Sequence, residues 1–208
     1  VLSLFNAISK SGVLICNIIF LIFSAFFFLL KGGKIRIRFN EIKKIQFALK
    51  RDKALKFLWI CFYIFLLFQI IKILFFALYT DDSLYYYLTR CTAWIQNKSI
   101  SHFITNDTRE LIMPVNMDLM YTWILLFRKS EMGSAIFSFI GYIGTIYVIY
   151  NLLKELNFAI RRRLWAIFIF SSFALVMLEM TRLSSDLIIG GLILTSIYLF
   201  IKFSKYND

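Results

Sequence analysis

Two consecutive carboxylates, Asp81 and Asp82, are the residues of this chain best placed to do acid–base chemistry. They follow a long hydrophobic run and open residues 80–114, a long stretch that is neither apolar nor strongly basic. An Asp or Thr just before a helix commonly accepts backbone N–H bonds as an N-cap, and one side chain is enough for that role. A second carboxylate at a membrane boundary can act as a general base towards a hydroxyl or amine. The sequence alone leaves both interpretations open.

The composition indicates an integral membrane protein. Hydrophobic residues form 60% of the chain and the mean hydropathy is +0.74, whereas soluble domains are about 45–50% apolar. The net charge of +12 does not indicate nucleic-acid binding, because the basic residues lie in short segments between apolar runs. The cysteines show no CxxC spacing, and the single histidine, His102, lacks a Cys or His nearby in the sequence. We therefore expect no metal site, no cofactor and no disulfide framework.

Five hydrophobic runs predict transmembrane helices, since about 20 residues at 1.5 Å each match a hydrocarbon core about 30 Å thick. The predicted spans are residues 11–30, 57–79, 135–153, 164–180 and 187–203. We expect an all-α membrane protein in which residues 1–208 form a single transmembrane domain. Because the chain begins at Val1 and ends soon after a hydrophobic run, we also expect it to be the N-terminal part of a longer protein.

Basic residues set the predicted orientation. Residues 31–56 carry ten Lys or Arg against Glu41 and Asp52, and such an excess beside apolar spans marks the cytoplasmic side. If each of the five runs crosses the membrane in the direction opposite to the one before it, the basic connector at residues 154–163 and the basic residues after residue 203 also lie on the cytoplasmic side. The N-terminus and residues 80–130 are therefore predicted to be extracytoplasmic in a multi-pass protein of the plasma or inner membrane. The cytoplasmic segment, predicted as a loop, is expected to face anionic lipids and not nucleic acid.

Two features inside the predicted spans carry structural expectations. Gly141 and Gly144 give the third run a small-residue face that lets another helix approach closely. Lys72 lies in the second run, where a cation is costly unless it snorkels to the interface or faces a polar cavity.

The extracytoplasmic stretch predicts an amphipathic helix, a polar loop and a second short helix. The predicted apolar stripe, at helical spacing, consists of Leu84, Leu88, Cys91 and Ile95. Polar character elsewhere on this helix comes from Tyr86, Arg90, Gln96 and Asn97. The aromatic residues suited to the headgroup level are Tyr85, Tyr86, Tyr87 and Trp94. Residues 114–127 are apolar but too short, and too polar at Asn116 and Asp118, to be predicted as a span. We expect a helix at the bundle mouth or part-way into the membrane.

Residues 81–118 resemble the first extracytoplasmic loop of bacterial family 39-like glycosyltransferases. These belong to the GT-C superfamily, with the protein O-mannosyltransferases and the lipid A aminoarabinose transferase. The positions onto which its pattern maps are Asp82, Ser83, Tyr86, Tyr87, Leu88, Arg90, Trp94, Gln96, Asn97, Ser99, Thr105, Arg109, Glu110 and Pro114. A weaker echo lies at residues 184–187. Tyr87 stands where the pattern has His, Glu110 where it has Gln, and Ser184–Ser185 where it has Gln–Asn.

The resemblance implies transfer of a sugar from a polyprenyl-phosphate donor to an acceptor at the outer face, with inversion at the anomeric carbon. Asp82 would be the base, and Asp81 would adjust its pKa through like-charge repulsion. The arginines expected to meet the lipid phosphate are Arg90, Arg109 and Arg182. Further expected substrate contacts are Tyr86, Tyr87, Glu110 and Asp186, although Asp186 can equally cap a helix. Expected partners are the lipid donor and membrane lipids, with the acceptor undefined.

Three other functions remain open on the sequence. A transporter would place charged or broken helices at mid-membrane. A non-catalytic assembly partner would account for the Tyr87 departure, because a group that titrates near neutral pH is missing there. A hydrolase would use water in place of the acceptor.

Overall fold

The computed structural model describes residues 3, 6, 8–32, 39–77, 80, 82–128 and 130–207, excluding the side chains of residues 39, 40, 206 and 207. Within these residues the chain is helical and has no strand, which confirms the predicted all-α class. The chain divides into two compact units. Unit 1 comprises residues 1–38 and 81–131, and unit 2 comprises residues 39–80 and 132–208. Asp81, one of the two candidate carboxylates, lies outside the described residues.

Ten α-helices and one π-helical turn are described. The helices are α1 (Lys10–Leu30), α2 (Phe39–Arg51), α3 (Lys53–Phe75), α4 (Thr89–Asn97), α5 (Arg109–Ile112), α6 (Asn116–Arg128), α7 (Ile136–Glu155), α8 (Ile160–Ser172), α9 (Ala174–Glu179) and α10 (Asp186–Asn207). The π-turn, Ser83–Leu88, directly precedes α4. In unit 1, α4 packs against α6 and against the π-turn, while α1 touches α6.

Four of the described helices, α1, α3, α7 and α10, are long and apolar enough to cross a membrane. They match four of the five predicted spans, with boundaries shifted by a few residues. No residue of α1 is buried, so its apolar side chains have no protein core to enter. A helix that is apolar on all sides and unburied is suited to a lipid environment.

The remaining predicted span, residues 164–180, is not one continuous helix. Phe173 adopts an extended conformation (ψ 127°) and separates α8 from α9. The Ser172 hydroxyl donates a 2.7 Å hydrogen bond to the Ile169 carbonyl, and the Ser171 hydroxyl pairs with the Tyr142 hydroxyl at 2.8 Å. Serine hydroxyls that bond to the preceding turn compete with main-chain hydrogen bonds and bend helices. We attribute the interruption to the Ser172 hydroxyl, which makes such a bond.

Unit 2 has two distinct ends. Near the start of α7, the Ser138 hydroxyl donates to the Ser184 carbonyl just before α10, at 3.1 Å. At the far end, Lys205 Nζ donates to the Glu155 carbonyl, also at 3.1 Å. The helices α7 and α10 are therefore parallel, and residues 156–185 carry the chain back along the full length of α7.

Helix α3 runs antiparallel to α7. Its last turn meets the segment before α7, where the Gly133 N–H donates to the Ile73 carbonyl at 2.7 Å. Its first turn lies at the other end, where Asp52 pairs with Arg161 of α8 at 2.7 Å. The end of unit 2 that holds Asp52, Arg161, Glu155 and Lys205 is called the basic end below.

Part of the predicted cytoplasmic loop is a helix. Residues 39–51 form α2, which contacts α3 and α8. Ile45, Ala48 and Leu49 pack against the core of unit 2, at the spacing of one helix face. At the other end of α2, Glu41 accepts from Lys154 at 2.9 Å and from the Tyr150 hydroxyl at 3.3 Å. The connector between the first two predicted spans therefore contains a helix, which the charge excess did not indicate but the apolar spacing does.

Close contact between α7 and α10 depends on Gly141. A Cβ atom there would overlap the side chain of Ile188 and come within 3.4 Å of its Cα. Beside it, the Thr145 hydroxyl donates to the Gly141 carbonyl at 2.9 Å and lies 3.1 Å from the Leu187 carbonyl. Gly144, by contrast, has no described atom within 4 Å of the corresponding position. The expected close approach therefore holds for Gly141 and not for Gly144.

We expect Gly141→Ala to destabilise the protein by about 1–3 kcal/mol, because the added methyl must push α10 away from α7. The melting temperature in detergent, followed by tryptophan fluorescence, measures the effect. Gly144→Ala is the matched control and should leave the melting temperature unchanged or slightly higher, since alanine favours the helix. Equal melting temperatures for the two variants would contradict the assigned contact.

Candidate functional site

Asp82 immediately precedes the π-turn and does not cap it. Its backbone is helical (φ −60°, ψ −39°), and its carboxylate makes no capping hydrogen bond. The side chain is 49% exposed, and Oδ1 lies 3.6 Å from Nη1 of Arg109. The carboxylate is therefore held beside a guanidinium and remains open to solvent, as a general base must be.

Arg109 is the centre of a small charged cluster on unit 1. Its Nη2 donates to Asp107 Oδ2 at 2.7 Å, and its backbone N–H donates to Asp107 Oδ1 at 2.9 Å. Its guanidinium also lies over the ring of Tyr86, 5.3 Å from the centroid. Arg109 lowers the pKa of Asp107, chiefly through the hydrogen bond from its side chain. We call Asp82, Tyr86, Asp107 and Arg109 the Arg109 cluster.

The Arg109 cluster lies over a group of packed aromatic rings. Tyr86 is buried, and its ring centroid is 4.1 Å from that of Tyr87. Tyr87 in turn meets Tyr121 edge-on at 5.9 Å. Burial, followed by the neighbouring Tyr87, raises the pKa of Tyr86 far above its usual range. Tyr86 therefore stays protonated and gives the guanidinium a ring face to lie on.

Arg90 and Asp118 form a fully buried ion pair beneath this surface. Neither side chain has any exposed area, and Arg90 Nη1 bonds to Asp118 Oδ2. Arg90 also donates to two backbone carbonyls, that of Met113 at 3.1 Å and that of Arg109 at 2.6 Å. The Arg90 hydrogen bonds are therefore made within the protein. The bond to the Arg109 carbonyl fixes the backbone that carries the Arg109 cluster.

Asp118 was not predicted as a functional residue, although its position within the apolar residues 114–127 indicated that it needs a partner. A carboxylate within an otherwise apolar segment needs a partner, because an unpaired buried charge is costly. Burial raises the pKa of Asp118 to about 6, against the opposing attraction of Arg90. Cys91 lies next to it, with Sγ donating to the Asp118 carbonyl at 3.3 Å, and burial raises the pKa of this thiol to about 12.

The predicted apolar stripe on the outer helix is only partly correct. Leu88 and Cys91 are buried, but Leu84 is exposed, whereas Tyr86 and Arg90, expected on the polar side, are buried. The cause is the π-turn, whose i→i+5 hydrogen bonds accommodate an extra residue and rotate the face that follows. Trp94, expected at the headgroup level, is likewise buried within unit 1.

Glu110 is a further buried carboxylate of unit 1. Its side chain is nearly enclosed, and Oε2 has no hydrogen-bond partner among the described residues. It lies in α5, which packs against the π-turn. Glu110 therefore belongs to the layer beneath the surface, whereas Arg109, one residue earlier, reaches solvent with 44% of its side chain.

The other two predicted contacts, Arg182 and Asp186, belong to unit 2. Arg182 pairs with the buried carboxylate of Glu179. Asp186 is exposed in the first turn of α10, and its N–H donates to the Ser184 hydroxyl at 3.1 Å, so Ser184 satisfies one of the free N–H groups at the start of this helix. In the same unit, half-buried Lys72 reaches the Thr181 hydroxyl at 3.4 Å.

Comparison with protein-family models, with curated proteins and with solved structures found no significant match to this chain. Among the described residues, no group of three His, Cys, Asp or Glu side chains could hold a metal ion. Of the predicted site residues in unit 1, the structure brings Asp82 and Arg109 together at the surface, with the buried Tyr86 beneath the Arg109 guanidinium. It places Arg90 and Glu110 in the interior.

We expect Arg90→Met to destabilise the folded chain by about 3–5 kcal/mol, because it leaves Asp118 and two backbone carbonyls without their donor. A melting curve in detergent measures the loss. Arg90→Lys retains the charge without the planar fork and should recover part of the stability. A near-wild-type melting temperature for Arg90→Met would contradict the structural role.

We expect a pH dependence of stability from Asp118, because its pKa is higher in the folded chain than in the unfolded chain. The folded state binds this proton more tightly, so the contribution is present below about pH 4 and is lost as the pH rises through about 6. Melting temperatures between pH 4 and 7.5 test this. Asp118→Asn should remove that part of the slope; an unchanged slope in the variant would assign it to other groups.

Proposed function

We propose that this chain is, or is part of, a membrane glycosyltransferase that transfers a sugar from a polyprenyl-phosphate donor to an acceptor at the extracytoplasmic face. The observation that carries the proposal is the Arg109 cluster. It joins a solvent-exposed carboxylate to a guanidinium, with 3.6 Å between Asp82 Oδ1 and Arg109 Nη1. Both residues also match the family pattern in order and spacing.

The two groups suit the two charges that develop during inverting transfer. Asp82 accepts the proton of the acceptor hydroxyl as the acceptor oxygen forms its bond to the anomeric carbon. The bond between that carbon and the phosphate oxygen breaks, and the electron pair leaves on the lipid phosphate. Arg109 can stabilise this negative charge with charge-assisted hydrogen bonds. On this mechanism Arg90 is a positioning residue, because it bonds to the carbonyl of Arg109.

The proposal includes five membrane crossings with the N-terminus outside. The parallel arrangement of α7 and α10 supports it, since residues 156–185 must return along the length of α7 between them. The basic end of unit 2 also supports it, because residues 39–56, residues 154–163 and Lys205 all contribute to that end, as the positive-inside rule expects. On this topology residues 80–130 lie outside, where lipid-linked donors are used.

A transporter is the second candidate, favoured by the interruption of α8 and α9 at Phe173. Broken helices commonly expose backbone groups to a transported substrate. Here the polar groups at the break are engaged, because Ser172 bonds to Ile169 and Ser171 to Tyr142. The adjoining cavity, about 190 Å³, is lined mainly by apolar side chains. These contacts make the break a weaker basis for function than the Arg109 cluster.

We expect Asp82→Asn to lower kcat/KM for sugar transfer by about 10²–10⁴-fold, because the acceptor proton loses its base. The assay follows sugar from a polyprenyl-phosphate donor to product in membranes that contain the variant at wild-type levels. Glu131→Gln is the matched control, a neutralised carboxylate of the same unit outside the Arg109 cluster, and should retain activity.

Activity of Asp82→Asn close to wild type would remove Asp82 as the base. Release of free sugar that depends on Asp82, without any transfer product, would identify the hydrolase in which water is the acceptor. Wild-type protein that neither transfers nor hydrolyses, but moves a labelled solute across a bilayer, would favour the transporter.

A further inference from the structure

A groove of about 400 Å³ lies in unit 2 at the elbow where α2 meets α3. Its lining residues are Gln46, Leu49 and Lys50 of α2 and Lys56, Trp59, Ile60 and Tyr63 of α3. The first three are spaced i, i+3, i+4 and the other four i, i+3, i+4, i+7, so each set occupies one helix face. The groove is therefore a seam between two facing helices.

Two lysines, Lys50 and Lys56, give the groove a positive charge. Both are exposed, no acidic residue lines the groove, and neither lysine makes an ion pair within the part of the chain that is described. Asp52 lies between them in sequence, but its carboxylate accepts from the Leu55 N–H at 3.1 Å and pairs with Arg161 at 2.7 Å. The groove thus presents two cations that are available to an anion.

The groove becomes apolar along α3. Trp59 is buried at its base, with its ring centroid 5.6 Å from that of Tyr63. Ile60 and Tyr63 are exposed, and they lie four and seven residues beyond Lys56, or about 6 and 10 Å along the helix axis. Since α3 is long and apolar enough to cross a membrane, this direction leads from an interface into hydrocarbon.

The groove is preformed. Glu41 and Lys154 hold the start of α2 at 2.9 Å, and Leu49 packs against the core. Asp52 and Arg161 hold the elbow itself. Because both helices are held independently of any ligand, binding would not have to order them.

We propose that this groove binds one anionic glycerophospholipid, with its phosphate between Lys50 and Lys56 and an acyl chain along Ile60 and Tyr63. The order of cations, aromatic rings and apolar side chains matches the order of headgroup, glycerol and chain in such a lipid. A second groove across the elbow also carries basic residues, but it includes the carboxylate of Asp52, which offsets part of the charge. The site is independent of the proposed glycosyl transfer.

Lipid titrations of the full chain in detergent test the charge requirement, with phosphatidylglycerol, phosphatidylcholine and inorganic phosphate as ligands and native mass spectrometry as readout. We expect phosphatidylglycerol to bind, and Lys50→Gln/Lys56→Gln to weaken its binding about 25-fold, since each lysine near an anionic lipid contributes about a factor of five. The matched control Lys43→Gln/Lys53→Gln removes the same charge from the same two helices outside the groove and should retain binding.

A second pair of variants tests the shape of the groove without changing its charge. Ile60→Trp should fill the seam and lower phosphatidylglycerol binding at least tenfold, whereas Ile64→Trp, an exposed position outside the lining, should not. Equal losses in both lysine pairs would overturn the proposal in favour of general surface charge. Equal binding of phosphatidylcholine, or binding of inorganic phosphate that the lipid does not displace, would also overturn it.

Discussion

The buried ion pair between Arg90 and Asp118 is the interaction on which the rest of unit 1 depends. It joins α4 to α6, and its remaining bonds reach the carbonyls of Arg109 and Met113 at the two ends of α5. Three short elements that could not fold alone are thereby tied to one guanidinium. A buried pair is not a strong source of net stability, but loss of one partner is costly, so it acts here mainly to fix geometry.

Unit 2 is held by a different kind of constraint, close backbone approach. Gly141 lets α10 lie against α7, and hydroxyls of Ser138 and Thr145 then bond to carbonyls of the neighbouring segment. Small residues and such hydroxyl bonds are how helices associate where lipid removes most of the hydrophobic driving force. Because α7 and α10 are parallel, the residues between them must run back along the length of α7. They do so even though Phe173 separates α8 from α9.

Hydropathy predicted four helices of this fold well, because length and apolar composition are local properties of the chain. The features that hydropathy did not predict depend on residues far apart in the sequence or on the extra residue of the π-turn. Ser171, beside the break at Phe173, pairs with Tyr142, which lies 29 positions earlier. The π-turn rotates the face of Tyr86 and Arg90 without changing the apolar spacing. Arg90 and Asp118 are 28 positions apart. The sequence shows that each is a charged residue in an apolar setting, but it does not show that the two form a pair. Helix α2, in contrast, was predictable from the spacing of its apolar residues.

The surroundings of Arg90, Arg109 and Arg182 differ, and the difference decides which of them is free to bind a phosphate. All three candidates were selected because a lipid phosphate needs a cation, yet Arg90 is buried and bonds only to described protein groups, while Arg182 pairs with Glu179. Arg109 alone lies beside Asp82, and it does so on backbone held by Arg90. A loss of activity on changing Arg90 would therefore report on the position of Arg109 and not on a phosphate contact. Under the proposed glycosyl transfer, Arg109 is the candidate of unit 1 that can contact the leaving phosphate directly, because its guanidinium is exposed and that of Arg90 is not.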